Sequence, residues 1–202
     1  MIPEDWYNLL MPVLPGADRD HVARQVLQAA AEFCREAPVW IETLPPIDLE
    51  ADRDTYPVVP PIGTSIGRIL TVRYHDRLLP PLRQTDILTD TASHGWWWDA
   101  AKGLVIRPVP RAPEDRALTV TATLWPLTLE ALPFALLRRW QEDIAHGVWG
   151  RLMMNTHAPY GNPAMAEYHL RRFRSAIARA RIEAYTGTAT HILRVPMPRE
   201  LM

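Results

Sequence analysis

The chain has 202 residues, 48% of them hydrophobic and 22% charged, which is enough apolar material for a core and excludes intrinsic disorder. A formal net charge of −1 excludes global attraction to nucleic acid but leaves room for a local patch. The single cysteine, Cys34, offers no disulfide framework and fits a reducing compartment.

The first sixteen residues are apolar and carry three prolines, with Trp6 and Tyr7 in need of a surface; they read as a short helix or turn plus linker. They lack a basic region followed by an apolar run, so no secretory signal is expected. Asp18 and Asp20 open a helix that runs to about Ala37, with Val22, Val26, Ala29 or Ala30, Phe33 and Ala37 on one stripe and Pro38 as its stop. From about Val39 to Pro126 the chain becomes rich in Pro, Thr and Val. Trp40–Leu44 reads as a strand, and Asp54–Val59 as a second one limited to an edge by Pro57. Ile66–Tyr74 is a stronger strand, with Arg77–Leu79 as its partner across His75-Asp76. Trp96–Asp99 and Leu104–Arg107 flank a polar turn and predict a hairpin. Ala117–Trp125 alternates Leu118, Val120, Ala122 and Leu124 against three threonines, as a half-buried strand should.

Two amphipathic helices follow, joined by a hard turn. Each begins at a proline, Pro133 and Pro163, and Asn162 is a candidate N-cap. The first carries Leu136, Trp140, Ile144, Val148 and Leu152 on one side. Gly147 lies inside it, where a glycine costs roughly 1 kcal/mol against alanine, so close approach of another backbone is expected there. The second keeps Ala166, Leu170, Phe173, Ile177, Ala180 and Ala184 on a bundle seam. Its other face bears Arg171, Arg172, Arg174, Arg179 and Arg181, diluted by Glu167 and Glu183. Gly187 is the expected cap, and the rest reads as an extended arm. The fold class is therefore α+β: a helical bundle (N-terminal helix plus C-terminal helix pair) with an inserted small antiparallel β-domain and an extended C-terminal arm. The expected divisions are 1–38, 39–126, 127–187 and 188–202. No apolar stretch approaches the length of a membrane span.

Little in the chain points to catalysis. The seven histidines are scattered, and none shows the i, i+4 spacing with an intervening glutamate used by zinc peptidases. Cys34 on an Ala-rich helix reads as a core thiol. Ser65 in Gly63-Thr64-Ser65-Ile66-Gly67 lacks the spacing of a nucleophile elbow. Gly161-Asn162-Pro163 is a turn into a helix and not a phosphate loop. No catalytic residue, metal or cofactor is expected. Two runs have a second reading. Trp96-Trp97-Trp98 could form a platform for sugars, but strand alternation sends Trp97 to the face opposite Trp96 and Trp98, which favours core or interface. The arginine face could meet solvent, an acidic protein partner or phosphates. Lys102 is the only lysine, and arginine's planar, weakly hydrated head suits interfaces.

Taken in order, several blocks resemble the head-to-tail adaptor (connector) proteins of tailed bacteriophages, especially the short-tailed kind. A helix ends in a Trp-containing strand over Cys34 to Ile41. Thr55-Tyr56-Pro57 is followed by Pro60-Pro61-Ile62-Gly63 and a strand ending at Val72 to Tyr74. A strand closes in Leu124-Trp125-Pro126. The most specific block is the last: Leu132-Pro133, Trp140, Ile144-Ala145, Gly147, Arg151 to Met154, Pro159-Tyr160, Asn162-Pro163, Ala166, Tyr168 and Phe173. Gly161 before Asn162 and the triple tryptophan depart from that pattern.

The resemblance implies a structural virion protein at the head–tail junction, made in the host cytoplasm. Its homo-oligomer would be a dodecameric ring joining the portal protein to tail or nozzle proteins. Double-stranded DNA would pass through the channel without sequence-specific binding, and no membrane is involved. The arm, with Ile192, Leu193, Val195, Met197 and Leu201, would dock on the portal. Candidate subunit-interface or assembly residues are Arg171, Arg172, Arg179, Gly147 and Trp97. The rival readings are a carbohydrate-binding β-module on a helical stalk and an enzyme whose site assembles in three dimensions.

Overall fold

A computed structural model describes residues 4–83, 94–99 and 101–186. Among the described residues the protein is a mixed α+β fold of four helices and antiparallel sheets. Gly187 and the arm residues Ile192, Leu193, Val195, Met197 and Leu201 lie outside the described residues.

The apolar N-terminus forms α1 (Glu4–Leu10), which buries Trp6 and Leu10, followed by a 3-10 turn at Met11–Val13. Helix α2 (Arg19–Glu36) starts where Asp18 predicts it, because the Asp18 carboxylate accepts the His21 backbone N–H at 2.8 Å. Val22, Val26, Ala29, Ala30 and Phe33 of the expected stripe are all fully buried. Their 3.6-residue spacing leaves one face of the helix apolar, so burial of that face drives its packing.

The strands are β1 (Ile41–Thr43), β2 (Ile47–Leu49), β3 (Thr55–Tyr56), β4 (Thr64–Tyr74), β5 (Arg77–Leu79), β6 (Gly95–Asp99), β7 (Gly103–Arg107) and β8 (Glu114–Pro126). The larger sheet runs β1-β8-β4-β5, with β2 also on β8. The smaller runs β3-β7-β6, which puts β3 and its following Pro57 at an edge, where a missing N–H does no harm. Tyr74 pairs with Arg77 across the two-residue turn that His75-Asp76 predicts. Trp96 pairs with Ile106 in the expected hairpin. The sheets are linked at Pro81 and Trp96, where Leu82 N–H donates to the Trp96 carbonyl at 2.7 Å. The short β2 gives no sequence signal, since it is three residues long and follows two prolines.

β8 organises the sheet because one of its faces is wholly apolar from Leu118 to Leu124. Leu118, Val120, Ala122 and Leu124 are fully buried beneath α2. Thr123 breaks the expected polar-out pattern: it is buried, and its hydroxyl accepts the Arg68 N–H at 2.8 Å where the β4–β8 register slips. A hydroxyl there replaces a lost ladder partner.

Helices α3 (Phe134–Met153) and α4 (Pro163–Thr186) complete the fold as an antiparallel pair. Pro163 takes the first helical position as expected, and the Asn162 side chain accepts the Met165 N–H at 3.1 Å. Pro133 differs: its extended ψ of 138° makes it the N-cap residue. Leu136, Trp140, Ile144, Val148 and Leu152 are buried as their spacing requires. One core runs through all of these elements, because α2 carries β8 on one side and meets α3 and α4 on the other.

Replacing Thr123 by valine keeps the shape and strands the Arg68 N–H. The loss expected is about 1–3 kcal/mol, readable by urea denaturation. An unchanged midpoint would show that the bulge tolerates an unpaired donor.

Candidate interaction surface

The helix pair meets closely because two glycines face it. A Cβ at Gly147 would stand 2.9 Å from the Phe173 ring. The close approach at Gly147 is thus by a side-chain ring, where a backbone was expected. Backbone approach comes one turn later, where a Cβ at Gly150 would lie 3.1 Å from the Leu170 nitrogen and 2.7 Å from its Cγ. Gly150 was hidden in sequence because Trp149 and Arg151 flank it with no periodic clue.

At the centre of the helices three rings meet. Phe33 lies 5.3 Å from Trp140 and 6.0 Å from Phe173, centroid to centroid. Arginines lie against these rings. Arg139 and Arg179 stand 5.2 and 5.5 Å from the Trp140 centroid, and Arg151 stands 5.3 Å from that of Phe173. Arg151 also bonds the Glu32 carboxylate, tying α3 to α2.

The arginine face of α4 divides into two sets. Arg179 bonds Asp143 at 2.7 Å, and Arg181 bonds Glu36 at 2.8 Å, so these two brace neighbouring helices. Arg171 faces Glu167 one turn back at 3.6 Å. Arg172 and Arg174 are exposed and form no ion pair among the described residues. Expected candidates Arg171, Arg172 and Arg179 therefore share a helix but not a chemical situation. Trp97 lies on β6, half-buried, with the Arg107 guanidinium 5.9 Å from its ring centroid. Trp96 is buried and donates its indole N–H to the Leu79 carbonyl at 3.1 Å. Only Trp98 of the three is exposed.

A groove of about 770 Å³ opens where α3 begins and α4 ends. Its floor is Pro38, Trp40, Ile41, Leu136, Ala180 and Ala184; Glu42, Arg139 and Glu183 line its polar side. Trp40 donates its indole N–H to Glu42 at 2.7 Å, which fixes that carboxylate at the rim. Phe134, in the first turn of α3, is 71% exposed, and Tyr185, in the last turn of α4 and lining a neighbouring pocket with Arg35 and Leu70, is 70% exposed. A second apolar prominence is the Val59-Pro60-Pro61-Ile62 loop, where Ile62 is fully exposed. The Thr64 hydroxyl donates to the Pro61 carbonyl at 2.7 Å, so the loop is held in shape.

Other chemistry is sparse among the described residues. Burial pushes the Cys34 thiol up to about 12, so it is no nucleophile at neutral pH. Glu114 is held below the usual carboxylate range by hydrogen bonds from Tyr74 and then His75, in an exposed cluster beside the β4–β5 turn. No group of three or more metal-ligating side chains occurs among the described residues. No described helix is long and apolar enough to cross a membrane. His146 and His169, which sequence spacing leaves unrelated, meet between α3 and α4. The chain matches no protein-family model. No curated protein matches it either.

Two substitutions separate the structural and surface members of this region. Gly147→Leu drives a side chain into the Phe173 ring and should lower stability by about 1–3 kcal/mol in chemical denaturation. Unchanged stability would show a slack crossing. Arg179→Gln removes the solvent-screened pair with Asp143 and the cation's contact with the Trp140 ring without adding a like charge, and the expected loss is about 1 kcal/mol. A larger loss in calorimetry would make Arg179 a fold residue.

Proposed function

We propose that the chain is a head-to-tail adaptor of a short-tailed bacteriophage, a structural subunit that assembles into a ring between the portal and the tail. The observation that carries this reading is the exposure of Phe134, Ile182 and Tyr185 beside an open groove, at the place where residues 187–202 begin. Exposed large apolar side chains at the start of one helix and the end of its partner favour a protein interface over solvent. The ordered blocks that resemble the adaptor family supply the identity of that interface.

In this reading α2, α3 and α4 form the bundle that packs laterally around the channel. Residues 39–126 are an inserted β-domain that bears tail components. Residues 188–202 are the arm that reaches the portal through Ile192, Leu193, Val195, Met197 and Leu201. Arg171 and Arg172 face a neighbouring subunit, and DNA passes without sequence-specific contact. The reaction-free role needs no cofactor.

The test is to mix the purified chain with the portal of its phage and view the product by negative-stain electron microscopy. A closed ring on the portal, with a monomeric or weakly associated free chain, is the expected outcome. A tight dimer indifferent to the portal would overturn it. Deleting residues from Thr188 onward should leave circular dichroism unchanged and abolish portal pull-down. Binding retained by the shortened chain would remove the arm from the interface.

A further inference from the structure

His146 on α3 and His169 on α4 bring their Nδ1 atoms within 2.7 Å of each other. A neutral imidazole has one N–H and one free lone pair. At this separation one Nδ1 must donate and the other accept, so the contact needs a free Nδ1 lone pair on at least one ring, and with both rings neutral the donor is in the Nδ1–H tautomer. One added proton can sit on the donor's far nitrogen and leave the contact intact; a second, on the accepting Nδ1, removes that lone pair and sets two cations against each other.

The surroundings make that exchange costly. His169 is buried and His146 half-buried. Trp149 lies against both, with centroids 5.3 Å from His146 and 5.2 Å from His169. Tyr168 sits edge-on to the two rings. The charged groups that face His146 are Arg172 from α4, which opposes a positive ring, and Glu142 and Asp143 from α3, which favour one. Asp143 is already engaged by Arg179. The titratable groups beside His169 are His146, which opposes a positive ring, and the Tyr168 phenol. Both rings are held below the usual histidine range, first by burial; Arg172 adds to this at His146, and His146 adds to it at His169. Trp149 also donates its indole N–H toward the Leu10 carbonyl at 3.5 Å, which connects the pair to the end of α1.

We propose that the His146–His169 contact is a proton-sensitive latch: neutral rings hold α3 against α4, and protonation of both in mild acid parts them and releases Trp149 from α1. The direction follows from linkage. A histidine whose charged form is disfavoured when closed takes up more protons when open. The contact is therefore complete above the ordinary histidine value of about 6.5 and is lost as pH falls below it. Each ring lowers the closing equilibrium by up to about tenfold per pH unit in that window. The latch stands on side-chain geometry and does not depend on the adaptor reading.

The test uses the full chain. Nitrogen-15 NMR of the imidazole rings, titrated from pH 8 to 4.5, should show one locked Nδ1–H tautomer at pH 7.5 and both rings titrating below 6.5. Hydrogen exchange over the same range should show protection falling in α3, α4 and α1 before it falls in β4 and β8. In His146→Gln, with one titrating ring removed, the loss of protection per pH unit should shrink by about tenfold. Either ring titrating at or above 6.5 would overturn the latch. So would protection that falls equally in helices and sheet, or an acid response unchanged in His146→Gln. If that variant does not fold, the ring titration and exchange of the native chain decide alone.

Discussion

The contact of Phe33 with Trp140 and Phe173 is the constraint on which the other elements depend. Each ring comes from a different helix, and the pairs sit at 5.3 and 6.0 Å in tilted geometry. Such pairs contribute about 0.5–1.5 kcal/mol each beyond the area they bury. Their larger effect is geometric. Gly147 leaves the space that the Phe173 ring fills, so the α3–α4 distance is set by a ring against a bare backbone. Helix α2 carries Phe33 on this side and rests on β8 with the other. The sheet's position is thus inherited from the aromatic junction through a single helix, and loosening the junction would move both layers.

The arginine-rich composition acquires a physical explanation around these rings. Arg139, Arg151 and Arg179 lie against the aromatic side chains while reaching Glu183, Glu32 and Asp143 with the same guanidinium. A planar, weakly hydrated cation can lie near a ring and bond a carboxylate at its edge; an ammonium group cannot do both in that geometry. Much of the charge that a helical wheel places on the outer face of α4 is therefore neutralised within the chain. That outcome weakens a phosphate-tracking role for the face and leaves Arg172 and Arg174 as its outward-directed charge.

Elements whose signal is local were legible in the sequence. The stripe of α2, the alternation of β8 and the His75-Asp76 turn depend on neighbours within a few residues, and each forms where its pattern places it. Features made by tertiary juxtaposition were not. β2 exists because β8 offers an edge, and nothing in Ile47–Leu49 announces it. Buried Thr123 follows from a register slip between two strands more than fifty residues apart. The glycine that admits a backbone is Gly150 and not Gly147, because which turn of α3 lies over α4 depends on the length of the turn between them. His146 and His169 are 23 residues apart on different helices, and no spacing rule joins them. The groove likewise needs the end of α4 brought back to the start of α3.

The order of contacts along the helix pair explains how a polar contact can sit there without threatening the fold. From the open end inward come Arg139 with Glu183, Asp143 with Arg179, then the junction where Phe173 lies under Gly147. His169 lies on the turn side of that junction, beside Leu170, and His146 stands level with it, one residue before Gly147. The aromatic cluster stands between them and the exposed end carrying Phe134 and Tyr185. Along α3, His146 is twelve residues from Phe134, or about 18 Å at the helical rise. Separation of the two histidines therefore needs to part the hairpin from its turn up to the level of Gly147, while Phe33 and Trp140 stay packed. Partial opening of this kind costs less than global unfolding because most of the buried apolar surface is untouched. A charge-sensitive contact placed in the middle of the three rings would instead set the stability of the whole chain, since every helix and, through α2, the sheet would feel its loss.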